Sequence, residues 1–170
     1  MNVGKAVGVG RSITGEEREP DDSTPSLAEL FRLHSDWLVR LAYLLTGREA
    51  VAEDIVQDVF VAYARHAAKV EHPDAYLRRS VVNAARSWHR RRHLELRHAR
   101  IDEPGSVSLG ARELADALRV LSARERAVIV LHFYEDRSID EMAQLLGWPR
   151  GTIASLQSRG LARLRKVVEP

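Results

Sequence analysis

Three times along this chain a serine is followed three residues later by a glutamate, just ahead of an apolar run. The three stretches are Ser26-Leu-Ala-Glu29, Ser122-Ala-Arg-Glu125 and Ser138-Ile-Asp-Glu141. In such a pair the serine hydroxyl accepts from the N–H of the third helical residue, and the glutamate reaches back to the serine N–H. Each pair is therefore a helix start. The residues after each pair have helical spacing: Leu27, Leu30, Phe31, His34, Leu38, Leu41 and Leu45 after the first; Val128, Ile129, Leu131 and Phe133 after the second; Ile139, Met142, Ala143, Leu145 and Leu146 after the third. No run of alternating apolar residues is long enough for a strand. The expected fold class is all-α. At 170 residues and 45% hydrophobic, the chain can build one ordinary domain or two small ones.

The remaining helices come from periodicity and breakers. Thr46-Gly47 ends the first helix. A second is expected from about Ala50 to Ala67, around the stretch AEDIVQDVF, Ala52–Phe60. At about 100° per residue, Ile55, Val56, Val59, Phe60, Tyr63 and Ala67 form one apolar arc. Asp54, Gln57, Asp58, Val61 and Arg65 fall opposite it. After a break ending at Pro73, a third helix runs from about Asp74, with Leu77, Val81, Ala84 and Trp88 as its buried stripe. Arg79, Asn83, Arg86 and Arg90 lie on one opposite face. In the second half Leu114, Ala117, Leu118 and Leu121 form a stripe. A last helix, about Thr152–Val168, buries Ile153, Leu156, Gly160 and Leu164.

These signals divide the chain into a flexible tail over 1–25, a helical unit over 26–96, a linker over 97–110 and a second unit over 111–168. The linker assignment rests on Pro104, Gly105, Ser106, Ser108 and Gly110, in a stretch without amphipathic period.

Charge is nearly balanced, Lys+Arg 26 against Asp+Glu 24, so its distribution matters more than its total. Arg86, Arg90, Arg91, Arg92, Arg97 and Arg100 crowd one segment against a single acid, Glu95. Arg150, Arg159, Arg163, Arg165 and Lys166 crowd another that holds no acid. Two separated basic segments suggest two contacts with a polyanion. The absence of cysteine excludes a disulfide framework, a thiolate zinc site and a cysteine nucleophile. His89 and His93 have metal-ligand spacing, but Arg90, Arg91 and Arg92 between them repel a cation, so no metal and no cofactor is expected. There is no nucleophile elbow, phosphate-cradling glycine loop or triad order, and the chain is read as a non-enzyme. The N-terminus lacks the apolar core of a signal peptide, and no apolar run is long enough for membrane insertion. The expected location is the cytoplasm.

Ser138–Val168 reads as a short helix, a tight turn with Gly147 and Gly151, and a basic helix: a helix-turn-helix, whose second helix enters a major groove. Ser155, Ser158, Arg159, Ala162, Arg163 and Lys166 would point outward, with Arg150 and Thr152 at the phosphate-favouring N-terminus. The plainer alternative is a helical hairpin with a solvated basic face. For the third helix the same alternative applies, weighed against Asn83, whose amide can read base edges amid arginines suited to phosphate. Glu53, Asp54 and Asp58 repel nucleic acid. Either they are merely solvated, or, with Val61 exposed among them, they face a basic protein partner.

Taken together, these segments resemble bacterial sigma factors of the extracytoplasmic-function (ECF) group, of the actinobacterial sigma-E-like type, which carry sigma regions 2 and 4. AEDIVQDVF is similar to the part of region 2 that docks on the β′ clamp helices of core RNA polymerase. AYLRRSVVNAARSWHRRR, Ala75–Arg92, is similar to the part that melts and reads the minus-ten promoter element. LSARERAVIVLHFYEDRSIDEMAQLLGWPRGTIASLQSRGLARLR, Leu121–Arg165, resembles region 4, whose helix-turn-helix reads the minus-thirty-five element.

The resemblance implies an alternative sigma factor that directs promoter-specific initiation. Its implied partners are core RNA polymerase (β′ clamp helices and β flap), promoter DNA and an anti-sigma factor. Glu53, Asp54, Gln57, Asp58 and Val61 would face the polymerase. Asn83 would help hold a flipped minus-ten base, in a pocket built by the loop Ala68–Asp74, with Arg79, Arg86 and Arg90 on phosphates. Arg150, Thr152, Ser155, Ser158, Arg159 and Arg163 would contact the minus-thirty-five element.

The chain departs from the family where G-T-V-[KR]-S-R-[LI] is usual: Gly151–Gln157 reads GTIASLQ. Ala154 and Leu156 would remove two DNA contacts, and Gln157 stands where a core aliphatic is usual. The rival reading is a stand-alone helix-turn-helix regulator with an N-terminal dimerisation or sensing domain.

Overall fold

The structure is a computed structural model that describes residues 25–95 and 109–168. Among them every regular element is helical: α1 Leu27–Thr46, α2 Glu49–His66, α3 Pro73–Glu95, α4 Leu109–Ala117, α5 Ala123–Phe133, α6 Ile139–Leu146 and α7 Arg150–Val168, with 3₁₀ turns at Ala67–Lys69 and Leu118–Val120. The expected N-terminal tail and most of the expected linker lie outside the described residues. The last two linker positions, Leu109 and Gly110, already belong to α4.

The three serine–glutamate pairs start helices as their chemistry requires. Each serine hydroxyl accepts from the glutamate N–H, and each glutamate carboxylate accepts from the serine N–H. α1 and α6 end on Gly47 and Gly147, at φ 71° and 66°, where a side chain would be strained. Their N–H groups donate to the Tyr43 and Ala143 carbonyls.

α1 is the hub. It packs against α2, α3, α4 and α5, while α7 packs on α5 and α6. Leu38, Leu41 and Leu44 are fully buried. Each such leucine stabilises the fold by about 1.5–3 kcal/mol. The buried residues of both halves form one hydrophobic cluster. α5 and α7 approach closely because Gly160 has no side chain: a Cβ there would stand 2.9 Å from Ile129 Cγ1.

Several periodicity readings shift. Trp88 is only half-buried rather than core, and Arg92 lies over its ring, 5.0 Å from the centroid. The α3 stripe is instead Leu77, Val81, Val82 and Ala85. In α4 and the turn after it, Ala111, Ala115, Leu118 and Leu121 are buried, whereas Leu114 is exposed and Ala117 half-exposed. Alanine can lie on either side of a helix, so alanine-rich segments fix the buried face poorly. Leu27, Phe31 and Phe133, placed in apolar stripes by spacing, are exposed near helix ends, although Phe31 keeps an edge contact with the Phe60 ring, 4.9 Å between centroids. α7 begins at Arg150, not Thr152, so Gly151 sits in its first turn rather than in the connecting turn.

Candidate functional site

α2 separates its residues cleanly. Ala52, Ile55, Val56, Val59, Phe60 and Tyr63 are buried against α1 and α3. Glu53, Asp54, Gln57, Asp58 and Val61 are all exposed, Val61 with 53% of its surface open. Asp54 and Asp58 are one turn apart, and like charges at that spacing cost about 0.2–0.5 kcal/mol. The acidic face is therefore kept against a local penalty, with an apolar side chain beside it.

α3 carries the first basic face. Arg79, Asn83 and Arg90 are exposed, and Arg90 donates to the Ser87 hydroxyl at 2.9 Å. Arg86 differs. It is half-buried, with its guanidinium over the Trp148 ring, 4.9 Å from the centroid. Burial, and after it the charges of Arg90 and Arg124, pull its pKa below the ordinary arginine value. The first turn of α3 is held at Asp74, whose carboxylate is 3.0 Å from His34 Nε2 on α1. His89, half of the histidine pair with metal-ligand spacing, has Nε2 2.8 Å from the Leu45 carbonyl.

The second basic face is on α7. α6, a turn through Gly147, Trp148 and Pro149, and α7 form the helix-turn-helix. Arg150, Ser155, Ser158, Arg159 and Arg163 are exposed and Thr152 is half-buried. Two of these arginines are tied to acids of the same unit. Arg150 Nη1 is 2.7 Å from Asp140 of α6, and Arg163 Nη1 donates to Glu125 Oε2 at 2.7 Å. The Glu125 side chain is only 3% exposed. Burial pushes its pKa up, but the Ser122 hydroxyl and N–H and the charges of Arg163 and Arg159 outweigh that and leave it below its ordinary value.

Leu156 corrects the expectation of a lost DNA contact. It is 4% exposed and belongs to the core with Ile153, so an arginine at this position would be buried. Gln157 is half-buried. In this turn of α7 the core contact is made by Leu156. Ala154 is exposed, so only there does the sequence lack an outward cation.

Two family models match, Sigma-70 region 2 over residues 30–95 and Sigma-70 region 4 over residues 117–166. The chain is 36% identical over 150 residues to the RNA polymerase sigma-E factor of Streptomyces avermitilis, covering 83% of this chain and 84% of that one. It is 32% identical to the ECF RNA polymerase sigma factor SigE of Mycolicibacterium smegmatis, covering 83% of this chain and 61% of that one. The chain belongs to the ECF sigma factors, of the actinobacterial SigE-like type.

A solved relative is the sigma factor RpoE in complex with the anti-sigma factor NepR from Bartonella quintana. It is 26% identical, has a TM-score of 0.66, and the match covers 84% of this chain and 96% of that one. The protein is thus an alternative sigma factor, an initiation factor that binds core RNA polymerase and promoter DNA and directs transcription initiation. The stand-alone regulator reading is not favoured, because both halves match sigma regions. Among the described residues no helix of this sigma factor is long and apolar enough to cross a membrane.

Sequence reasoning missed a second group of residues. Trp37 and Arg78 of the first unit donate to Glu135 of the second, and Trp148 of the second, also covered by Arg124 of its own unit, stacks on Arg86 of the first. The partners of Glu135 lie 57 and 98 residues from it in the chain, so no local pattern marks them.

Proposed function

We propose that this sigma factor divides its work among three helix faces. The α2 face of Glu53, Asp54, Gln57, Asp58 and Val61 binds the β′ clamp helices of core polymerase. The α3 face binds the minus-ten element, with Asn83 holding an unstacked base and Arg79, Arg86 and Arg90 on phosphates. The α7 face binds the minus-thirty-five element through Arg150, Thr152, Ser155, Ser158, Arg159 and Arg163. Residues 26–96 and 111–168 act as the two modules and 97–110 as the connection. The protein works in the cytoplasm, without a cofactor or catalytic chemistry of its own. It is held inactive by an anti-sigma factor, a kind of partner that the solved relative binds.

The observation that carries this reading is the sorting on α2. Its apolar residues are buried, and its acids surround an exposed valine. Complementary charge steers a basic partner to that face, and the valine gives it apolar contact. Capturing a base costs a few kcal/mol of unstacking, so polymerase binding and strand opening are coupled. The free protein accordingly binds DNA weakly and with strong salt dependence. The test is a pull-down of core polymerase with wild type and with Asp54→Arg plus Asp58→Arg. Wild type is expected to retain polymerase and the variant to lose it. Equal retention would overturn the assignment of α2.

A further inference from the structure

The N-terminal half of α7 keeps its cations at the rim of its outward face. From Gly151 to Ser158 there is no charged residue. At about 100° per residue, Gly151, Ala154, Ser155 and Ser158 lie together on the side turned from the core, and all four are exposed. Ile153, Leu156 and Gly160 take the opposite side and are buried. Arg150 and Arg159 stand on the two flanks between these sides. Both are already engaged: Arg150 Nη1 is 2.7 Å from Asp140, and Arg159 donates from Nε to the Ser155 carbonyl at 3.3 Å. Guanidiniums held at the rim suit the phosphates that border a groove.

Gly151 adds an independent sign of close approach. Its φ is not in the left-handed region, and a Cβ there would meet no atom within 4 Å. Neither backbone conformation nor packing within the chain requires glycine, which is a poor helix former. A missing side chain does let the surface of another molecule come near the backbone at that end of the face.

Base pairs differ in what they offer such a face. Guanine presents O6 and N7, which a long paired donor, arginine or lysine, reads from a distance. An A·T pair presents the thymine C5-methyl, which an alanine methyl can touch. The hydroxyls of Ser155 and Ser158 can donate or accept and so fit either pair. The choice of base therefore falls to residue 154.

We propose that Ala154 selects an A·T pair in the minus-thirty-five element by contact with the thymine methyl, while Arg150 and Arg159 hold phosphates on either side. The inference rests on the reading of α7 as the helix that binds this element. Ala154 is then a specificity determinant rather than only the site of a missing cation. An arginine in its place would ask for guanine.

The test uses holoenzyme formed with wild type or Ala154→Arg, bound to promoter duplexes whose minus-thirty-five element is randomised; retained duplexes are sequenced. One pair should change its preference between the two proteins. Wild type is expected to enrich A·T at that pair, and Ala154→Arg to enrich G·C there about ten-fold, with the other pairs read as before. Replacing the thymine of that pair by deoxyuridine removes the C5-methyl alone. Wild-type affinity should fall about three- to four-fold, and that of Ala154→Gly should not respond to the exchange. Both variants change an exposed residue and leave the core of α7 untouched. Enrichment of G·C by wild type at that pair would overturn the proposal. So would identical preferences in wild type and Ala154→Arg, or an equal response of wild type and Ala154→Gly to deoxyuridine. If Arg150→Ala plus Arg159→Ala binds every duplex as wild type does, the reading of α7 itself fails and the proposal with it. A wild type that discriminates among elements but seeks guanine opposite Ala154 sinks the proposal alone.

Discussion

α3 and α7 are both basic helices, yet they hold their cations in opposite ways. On α7, Arg150 and Arg163 are each paired at 2.7 Å with an acid of the same unit, Asp140 and Glu125. Arg159 donates to its own helix at the Ser155 carbonyl, 3.3 Å away. On α3, Arg79, Asn83 and Arg90 stand exposed, and Arg86 is engaged by a ring of the other unit. α7 thus presents arginines that already serve the fold, positioned but partly neutralised. α3 presents Arg79, Asn83 and Arg90 without an acid of its own unit paired to them, Arg90 donating only to the Ser87 hydroxyl. Basic composition alone does not separate these cases; the difference lies in which acids pack behind each helix.

The sharpest way to break this comparison is to insert an arginine on each helix. Leu156→Arg forces a charge into the core of α7 and should destabilise the second unit by at least about 3 kcal/mol in a denaturant titration. Asn83→Arg, on the exposed face of α3, should change stability by less than about 0.5 kcal/mol. Similar stabilities for the two variants would mean that α7 is rotated from the position described.

Removing an arginine from each helix probes the same contrast more gently. Arg163→Ala strands the buried Glu125 carboxylate and should cost about 1–2 kcal/mol, a figure lowered because Arg163 is itself 53% exposed. Arg90→Ala should leave stability within about 0.5 kcal/mol. Both should reduce the salt slope of promoter binding by holoenzyme by about 1. A loss of stability with Arg90→Ala equal to that with Arg163→Ala would erase the distinction.

Acid should act through the capping glutamates Glu29, Glu125 and Glu141, with the smallest effect of the series. Backbone hydrogen bonding from Ser138, then the Arg137 and Ser138 side chains, hold Glu141 at about 2, below its ordinary 4.5. A lowered folded-state pKa contributes stability that is present above the unfolded value and lost as pH falls through the folded one. The melting-temperature difference between wild type and Glu141→Gln should therefore be constant from neutral pH down to about 4.5, shrink below that, and vanish near 2. A difference that persists at pH 2 would place the effect in packing rather than charge.

The features legible in the sequence are local ones. Ser26, Ser122 and Ser138 announce their helices because a cap needs only four consecutive residues. α2 sorts correctly because its buried face is filled by large residues from Ile55 to Tyr63, which leave little ambiguity of phase. Spacing places α4 a step out of phase because alanines carry most of its buried face. Leu156 misleads because the family pattern places an arginine there, whereas in this chain the position is buried and Gln157 beside it is half-buried. Its true side is given by the spacing from Ile153 to Gly160. Glu135 and Trp148 are invisible to periodicity because each meets partners supplied by distant helices, and a lone glutamate after a helix carries no mark of burial.

The central claim is that α2 recruits polymerase while α3 opens the promoter. It is tested most directly by titrating core polymerase with sigma factor while following holoenzyme formation by sigma-dye anisotropy and strand opening by a fluorescent base in the minus-ten element. Asp54→Arg plus Asp58→Arg should lose both signals together. Asn83→Ala should form holoenzyme as wild type does and lose most of the opening signal. Holoenzyme formation by the α2 variant, or its loss in Asn83→Ala, would contradict the division of labour between the two helices.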